Sequence, residues 1–192
     1  MRCACGNLSG KSAGILQTLI ERIVITPVVG YQPIIGAYLA KMEDVRSRTL
    51  KYVEGLSAEQ LAWSPNDKCE SIATLLLHIA AAERSWIGED IMRRPMDEWW
   101  KIAFPIRFNI PQISGKELSY FTEILANIRK ETKDALKTLT DDDLTHEIAP
   151  LDPGEPDNAE KRFSIEWILY HMIEHEAHHK GQIAVMKRLW PL

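Results

Sequence analysis

The chain has 192 residues, 45% of them hydrophobic and 26% charged, which is enough for one sizeable core in a single domain. Its formal charge is -4 with acids and bases interspersed, so it lacks the broad cationic field that neutralises phosphates, and no nucleic-acid partner is expected. Cys3, Cys5 and Cys69 are odd in number and show no framework spacing, which excludes a disulfide-stapled secreted fold and points to a reducing, cytoplasmic setting.

Residues 1–33 read as an N-terminal extension, with a short helix expected over 12–25. Cys3 and Cys5 lie in its Gly/Ser-rich tip, where a metal site would need further ligands nearby, and no role is expected for them. The apolar stretch from Ile15 to Val29 is broken by Glu21, Arg22 and Pro27, too short and too charged to span a bilayer and without a signal-peptide plan. No membrane partner is expected.

Residues 34–192 form the main domain. Tyr38, Met42, Val45, Thr49, Tyr52 and Leu56 recur at helical steps, predicting a first long helix from 34 to about 55 that stops near Gly55. Ser57 can cap a short turn, and Pro65 with Asn66 breaks the chain. Ile72, Leu75, Ile79, Ala82 and Trp86 mark a second helix running to about Arg93, and this one carries His78. Residues 94–115 make a long aromatic connection containing Trp99, Trp100, Phe104 and Phe108. Leu118, Phe121, Leu125, Ile128, Ala135 and Leu139 give a third helix, followed by the acidic, proline-punctuated stretch TDDDLTHEIAPLDPGEPDNAEKR. From Ser164, a suitable N-cap, the last helix runs to about Leu189. With almost no strand pattern, the fold class is all-α. Two long connections make the four-helix bundle other than a plain up-down-up-down meander.

Four of the six histidines fall between His171 and His179. At about 100° per residue, positions four apart lie about 40° apart on the helical wheel. Ile168, Met172, Ile183, Met186 and Trp190 define an apolar stripe, and His175 and His179 fall inside it while His171 and His178 fall to one side. Two imidazoles one turn apart on a core-facing stripe need partners for their nitrogens and are placed to grip one divalent cation. The third ligand must come from another helix, and His78 is the histidine on the inner face of one. Three neutral imidazoles leave coordination positions open, and Zn²⁺, Ni²⁺ and Fe²⁺ all accept such ligands. The competing reading makes these residues hydrogen-bonded core histidines, in a helical interaction protein without metal. Residues 175–179 also match H-E-x-x-H literally, with Glu176 as a would-be general base. A peptidase is disfavoured because no third ligand follows downstream and the layout lacks a substrate-aligning strand. Glu176, at the stripe's edge, is expected beside the ligands or at the surface.

The stretches GLSAEQLAWSP, SIATLLLHIAAAERSWI and HMIEHEAHHKGQIAVMKRLW resemble the DinB/YfiT-like superfamily of metal-binding four-helix bundles, over about residues 34–192. Its pattern places an acidic residue five positions after the second-helix His, here His78 and Glu83, and runs H-x-x-x-H into K-G-Q, here His175, His179, Lys180, Gly181 and Gln182. The resemblance implies an up-down-down-up bundle, often a homodimer, with a three-His site (His78, His175, His179) for Zn²⁺ or Ni²⁺. Relatives of this kind include S-transferases that use mycothiol or bacillithiol and a mycothiol-dependent maleylpyruvate isomerase; many others have no known activity. The function expected is activation of a low-molecular-weight thiol toward an electrophilic small molecule. Activation of water by a hydrolase and a non-catalytic, metal-binding stress-response module are the alternatives. Trp86, Trp99, Trp100 and Phe104 are expected as pocket walls, with Arg84, Arg93 or Arg107 for a substrate carboxylate. Cys69 has no visible activating partner, so the nucleophile would be imported.

Overall fold

The structure, a computed structural model, describes residues 24–151 and 160–190. The Cys3/Cys5 tip and nearly all of the helix expected over 12–25 lie outside the described residues.

Helix α1 (Pro33–Val53) opens on Pro33, whose fixed φ suits the first turn and whose missing N–H is not needed there. Its N-cap residue makes no side-chain bond; instead the backbone N–H groups of Ile34 and Ile35 donate to the Asp141 carboxylate, at 3.1 and 3.0 Å, from more than a hundred residues away. Gly36 is required because the chain before α1 folds back so closely that a Cβ there would meet the Val28 carbonyl oxygen at 2.9 Å. Gly55, at φ +76°, follows the helix as expected. Ser57 and Gln60 cap each other in a capping box that opens α2 (Ala58–Ala62).

Helix α3 (Ile72–Glu83), capped by Ser71, buries eleven of its twelve residues; the twelfth is His78. A helix apolar on nearly every side belongs at the centre of a bundle. It does not stay α-helical to Arg93 as the periodicity predicts, because residues Arg84–Ile91 widen into a π-helix. After a 3₁₀ segment (Glu98–Ala103) and the single turn α4 (Pro105–Phe108) comes α5 (Leu118–Leu136), which ends a turn before the predicted Leu139. A second 3₁₀ turn (Asp141–Thr145) leads to a two-residue antiparallel ribbon, β1 (Glu147–Ile148) with β2 (Phe163–Ser164). The Ser164 hydroxyl then accepts from the Trp167 N–H to open α6 (Ile165–Leu189).

Cross-helix partners fix the directions. Tyr38 meets Glu166, Arg46 meets Glu176 and Lys187 meets the Tyr52 carbonyl, so α1 and α6 run parallel. Along α3 and the π-helix that continues it, His78 faces His175 while Trp86 faces Trp167, so α3 runs against α6. Glu43 reaches Lys133 and Arg46 reaches the Leu125 carbonyl, so α5 runs against α1. The order is up-down-down-up, and the chain from Met92 to Glu117 makes the crossover between the two parallel members. Among the described residues no helix is long and apolar enough to cross a membrane.

The apolar core is divided in two. One cluster gathers Val53, Leu76, Leu125 and Ile183; the other gathers Leu39, Ile87, Leu136 and Met172. Between them, on all four helices, lies a polar layer.

Candidate metal centre

On α6 the buried residues Ile168, Met172, Glu176, His179 and Ile183 line one face. His175 stands on its shoulder, half-buried, about 100° from Glu176 on the wheel. Glu176 is thus core and not at the edge as expected, while His175, at the stripe's margin, still turns its Nε2 to the other two rings. The wheel of one helix misplaces Glu176 because Arg46 of α1 draws its carboxylate inward.

The structure brings His78, His175 and His179 together. Nε2 of His175 lies 3.2 Å from Nε2 of His78 and 3.2 Å from Nε2 of His179, and the three rings could together hold a metal ion. Imidazole nitrogens bound to one tetrahedral ion at about 2.0–2.1 Å sit roughly 3.3–3.4 Å apart, so the observed spacing fits a divalent cation. The protons argue the same way. Nδ1 of His179 is 2.6 Å from Gln182 Oε1, so it carries the ring's proton and its Nε2 offers a lone pair. A neutral His175 can donate one Nε2–H at most. Whichever tautomers His175 and His78 adopt, at most one of the two 3.2 Å contacts is a hydrogen bond, because His179 Nε2 can only accept and His175 Nε2 either donates once or accepts only from His78; with every ring protonated at Nδ1, a cation would satisfy all three lone pairs.

The environment holds these rings neutral, as ligation requires. Burial, with the neighbouring His179, pushes His78 down to about 4; burial and the surrounding imidazoles push His175 down to about 2; burial lowers His179, against the bond to Gln182. Nδ1 of His78 is buried with no hydrogen bond of good geometry, beside the backbone of Ala103, which favours a proton there and leaves Nε2 for the cluster. Phe104 packs edge-on against the same ring, with centroids 5.0 Å apart. The aromatic connection therefore walls the site at His78.

The remaining expected residues divide by position. His171 stacks on Trp167 at 4.7 Å and meets Trp86 edge-on, forming an aromatic flank with Phe163 next to His175. His178 is exposed. Trp100, Phe104 and Arg107 line a cleft of about 230 Å³ whose floor includes the buried Glu89, whereas Trp99 stands half-exposed against Trp100. Arg84 and Arg93 hold loops: Arg84 donates to the carbonyls of Arg94 and Pro95, and Arg93 to that of Ala149.

The sequence reading names Glu83 and Glu176 but misses their partners, Arg46 and Arg129. Each bundle helix sends one charge to the polar layer. Arg46 donates to Glu176 at 2.7 Å and to Glu83 at 2.8 Å, and Arg129 grips both oxygens of Glu83, at 2.7 and 3.0 Å. All four are buried, and Glu43 with Lys133 closes the network at the surface. Despite burial, Arg129 and Arg46 hold Glu83 down at about 2, and Glu83 raises Arg129. The signal was present in the stripes: Arg46 follows Met42 by four, and Arg129 follows Leu125 by four, each a charge at a core position.

The sequence model of the mycothiol-S-transferase family matches residues 38–189. The chain belongs to that family. The match spans all four bundle helices nearly in full, including His78 and the H-x-x-x-H pair. Two solved structures support the DinB/YfiT-like superfamily fold. A DinB-like protein from Bacillus cereus is 18% identical with a TM-score of 0.60, over 79% of this chain and 89% of its own. A conserved protein from Enterococcus faecalis is 14% identical with a TM-score of 0.60, over 79% of this chain and 94% of its own. At these identities the likeness is one of fold. None of the curated proteins matches the chain.

Proposed function

We propose that His78, His175 and His179 hold one divalent cation, Zn²⁺ or Ni²⁺ with Fe²⁺ also acceptable to the same donors, and that the chain transfers a low-molecular-weight thiol to an electrophilic small molecule. The observation that carries this reading is the pair of 3.2 Å contacts among three Nε2 atoms that cannot all be satisfied by protons. Membership of the mycothiol-S-transferase family supplies the thiol. A cation bound there supplies Lewis acidity, which makes a thiol a thiolate near neutral pH.

The chain's own residues set up that chemistry. Gln182 holds the His179 ring by its Nδ1 and so aims Nε2 inward, as an outer hydrogen bond does for metal-ligating histidines. Phe104 and the aromatic flank of Trp86, Trp167 and His171 exclude water from either side of the three rings. Among the described residues no thiol or hydroxyl is bonded to the three rings, and the free Cys69 lies near the start of α3, so the nucleophile in this reading is the imported thiol. Glu176 is committed to Arg46 and is not a general base, which removes the peptidase reading of H-E-x-x-H. The same function suits the cytoplasm, where small thiols stay reduced. We take the 34–192 domain to act as a homodimer, which light scattering checks.

The test is conjugation of a small thiol to a chromogenic electrophile by protein loaded with Zn²⁺ or Ni²⁺. Turnover should require the metal, vanish with chelator and vanish in His175→Ala. Metal-loaded protein that gives no conjugate with mycothiol, bacillithiol or cysteine would contradict the transferase reading.

A further inference from the structure

A second cleft, of about 370 Å³, is lined in part by residues near in sequence to, or in contact with, those of the histidine cluster. Its walls come from the pieces that build the cluster. Leu75 stands one turn before His78 on α3, Gln182 one turn after His179 and bonded to it, and Ile106 two residues beyond Phe104, whose ring packs on His78. Val185, Met186 and Leu189 complete the apolar side.

The cleft differs in chemistry from the first. The 230 Å³ cleft on the other side of α4 presents Glu89, Asp97, Glu98, Lys101 and Arg107, which suits a polar, hydrogen-bonding molecule. The larger cleft has charges only at Lys68 and Glu70 among its lining residues. Ile106, Val185 and Leu189 are 51%, 53% and 55% exposed around one concavity, which sets them apart from apolar residues scattered singly over a surface. Its volume lies in the range of small-molecule sites, roughly 300–1,000 Å³. A transfer reaction joins two reactants, and the site offers one polar and one apolar cleft on either side of α4.

We infer that the 370 Å³ cleft receives the apolar body of the electrophile, so that this chain favours electrophiles carrying an uncharged alkyl group or ring. The inference rests on the transferase reading for the word electrophile; the apolar site itself does not. Bound there, the substrate's reactive carbon faces the cluster past Gln182, while the thiol's polar part occupies the cleft of Lys101 and Arg107. With an alkyl halide, transfer forms a carbon–sulfur bond, breaks the carbon–halogen bond, expels halide with the bonding pair and releases the thiol proton to solvent; with an electrophile that has no leaving group, the adduct takes up one proton in place of the one the thiol lost.

Cys69 lines the same cleft and reports on its occupancy without any turnover. The experiment measures how straight-chain primary alcohols from propanol to octanol slow alkylation of Cys69 by iodoacetamide, read by peptide mass spectrometry. Each methylene should strengthen protection about four-fold, from about 0.8 kcal/mol per buried CH₂. Ile106→Asp and Val185→Asp, both at exposed positions, should abolish that gradient while leaving the helical circular dichroism intact. Equal protection by propanol and octanol, or an unchanged gradient in both variants, would overturn the inference. So would variants that merely convert a dimer to a monomer in light scattering with the gradient retained, which would assign the face to a second copy of the chain. The two readings separate in a conjugation series with 1-bromoalkanes. A protection gradient without any conjugate keeps the apolar site and sinks the transferase; conjugation with equal kcat/KM for all chain lengths sinks the cleft's role and keeps the transferase.

Discussion

The histidine cluster and the Arg46–Glu83–Arg129–Glu176 quartet occupy the same polar layer, yet they solve opposite problems. The quartet is complete as the chain folds: two positive and two negative charges, one from each helix, joined at 2.7–3.0 Å. The cluster is incomplete: three neutral rings converge with fewer protons than lone pairs. Adjacent residues of α6, His175 and Glu176, serve one each. A buried polar group tolerated because its partner is internal marks a device of the fold; one whose partner is missing marks a place for something from outside.

That contrast is most strongly tested by breaking the quartet on one side. Arg46→Met leaves Glu83 and Glu176 buried with one cation between them, and should lower stability by about 3–5 kcal/mol in urea denaturation. Folded protein should still take up one equivalent of metal. Replacing all four residues together, Arg46→Met, Glu83→Leu, Arg129→Met and Glu176→Leu, removes every orphan at once. This variant should unfold within about 1–4 kcal/mol of the parent, on the stable side. A quadruple variant as unstable as Arg46→Met would contradict the description of the quartet as self-contained.

Acid separates the two regions. In both, the folded state lowers the pKa, so the unfolded chain binds more protons and stability falls as pH falls. For His78 the window runs from 6.5 down to about 4, and His175 extends it toward 2. For Glu83 it runs from 4.5 down to about 2. Metal-free protein should therefore begin to lose stability below pH 6.5, measured as the denaturation midpoint against pH. Substituting the three histidines by Gln should postpone the decline until below about pH 4.5. A smaller effect belongs to Gln182→Ala, which frees the His179 ring and should weaken metal affinity about 10–100-fold in a chelator competition while the denaturation midpoint of the metal-free protein barely moves. Smallest is Ser164→Ala, which removes the cap of α6 far from both regions and should cost about 1 kcal/mol with metal affinity unchanged.

Much of this was legible in the sequence because it repeats at helical spacing. The stripes located four helices, Ser57 and Ser164 announced their caps, and the i, i+4 pair His175 and His179 sent the search for a third ligand to His78. What escaped depends on a second element. Arg46 and Arg129 interrupt apolar stripes, and a wheel drawn for one helix cannot show that a carboxylate waits opposite. Glu176 was taken for the stripe's edge for that reason. The π-helix at Arg84–Ile91 leaves no periodic mark, since its eight residues are fewer than a reading of periodicity needs. Within it Arg84 lies against Gly88, where a side chain would collide with the guanidinium, and from there holds the carbonyls of Arg94 and Pro95. The two-residue strands are likewise too short to show an alternation.

The central claim, that three imidazoles from two helices wait for one cation, is most directly tested by metal content. Metal-free chain equilibrated with Zn²⁺ or Ni²⁺ and desalted should carry one equivalent per chain by elemental analysis. His78→Ala, His175→Ala and His179→Ala should each lose most of it while remaining helical, and His178→Ala should keep it. Uptake of no stoichiometric metal by the parent chain, or full uptake by His175→Ala, would contradict the account.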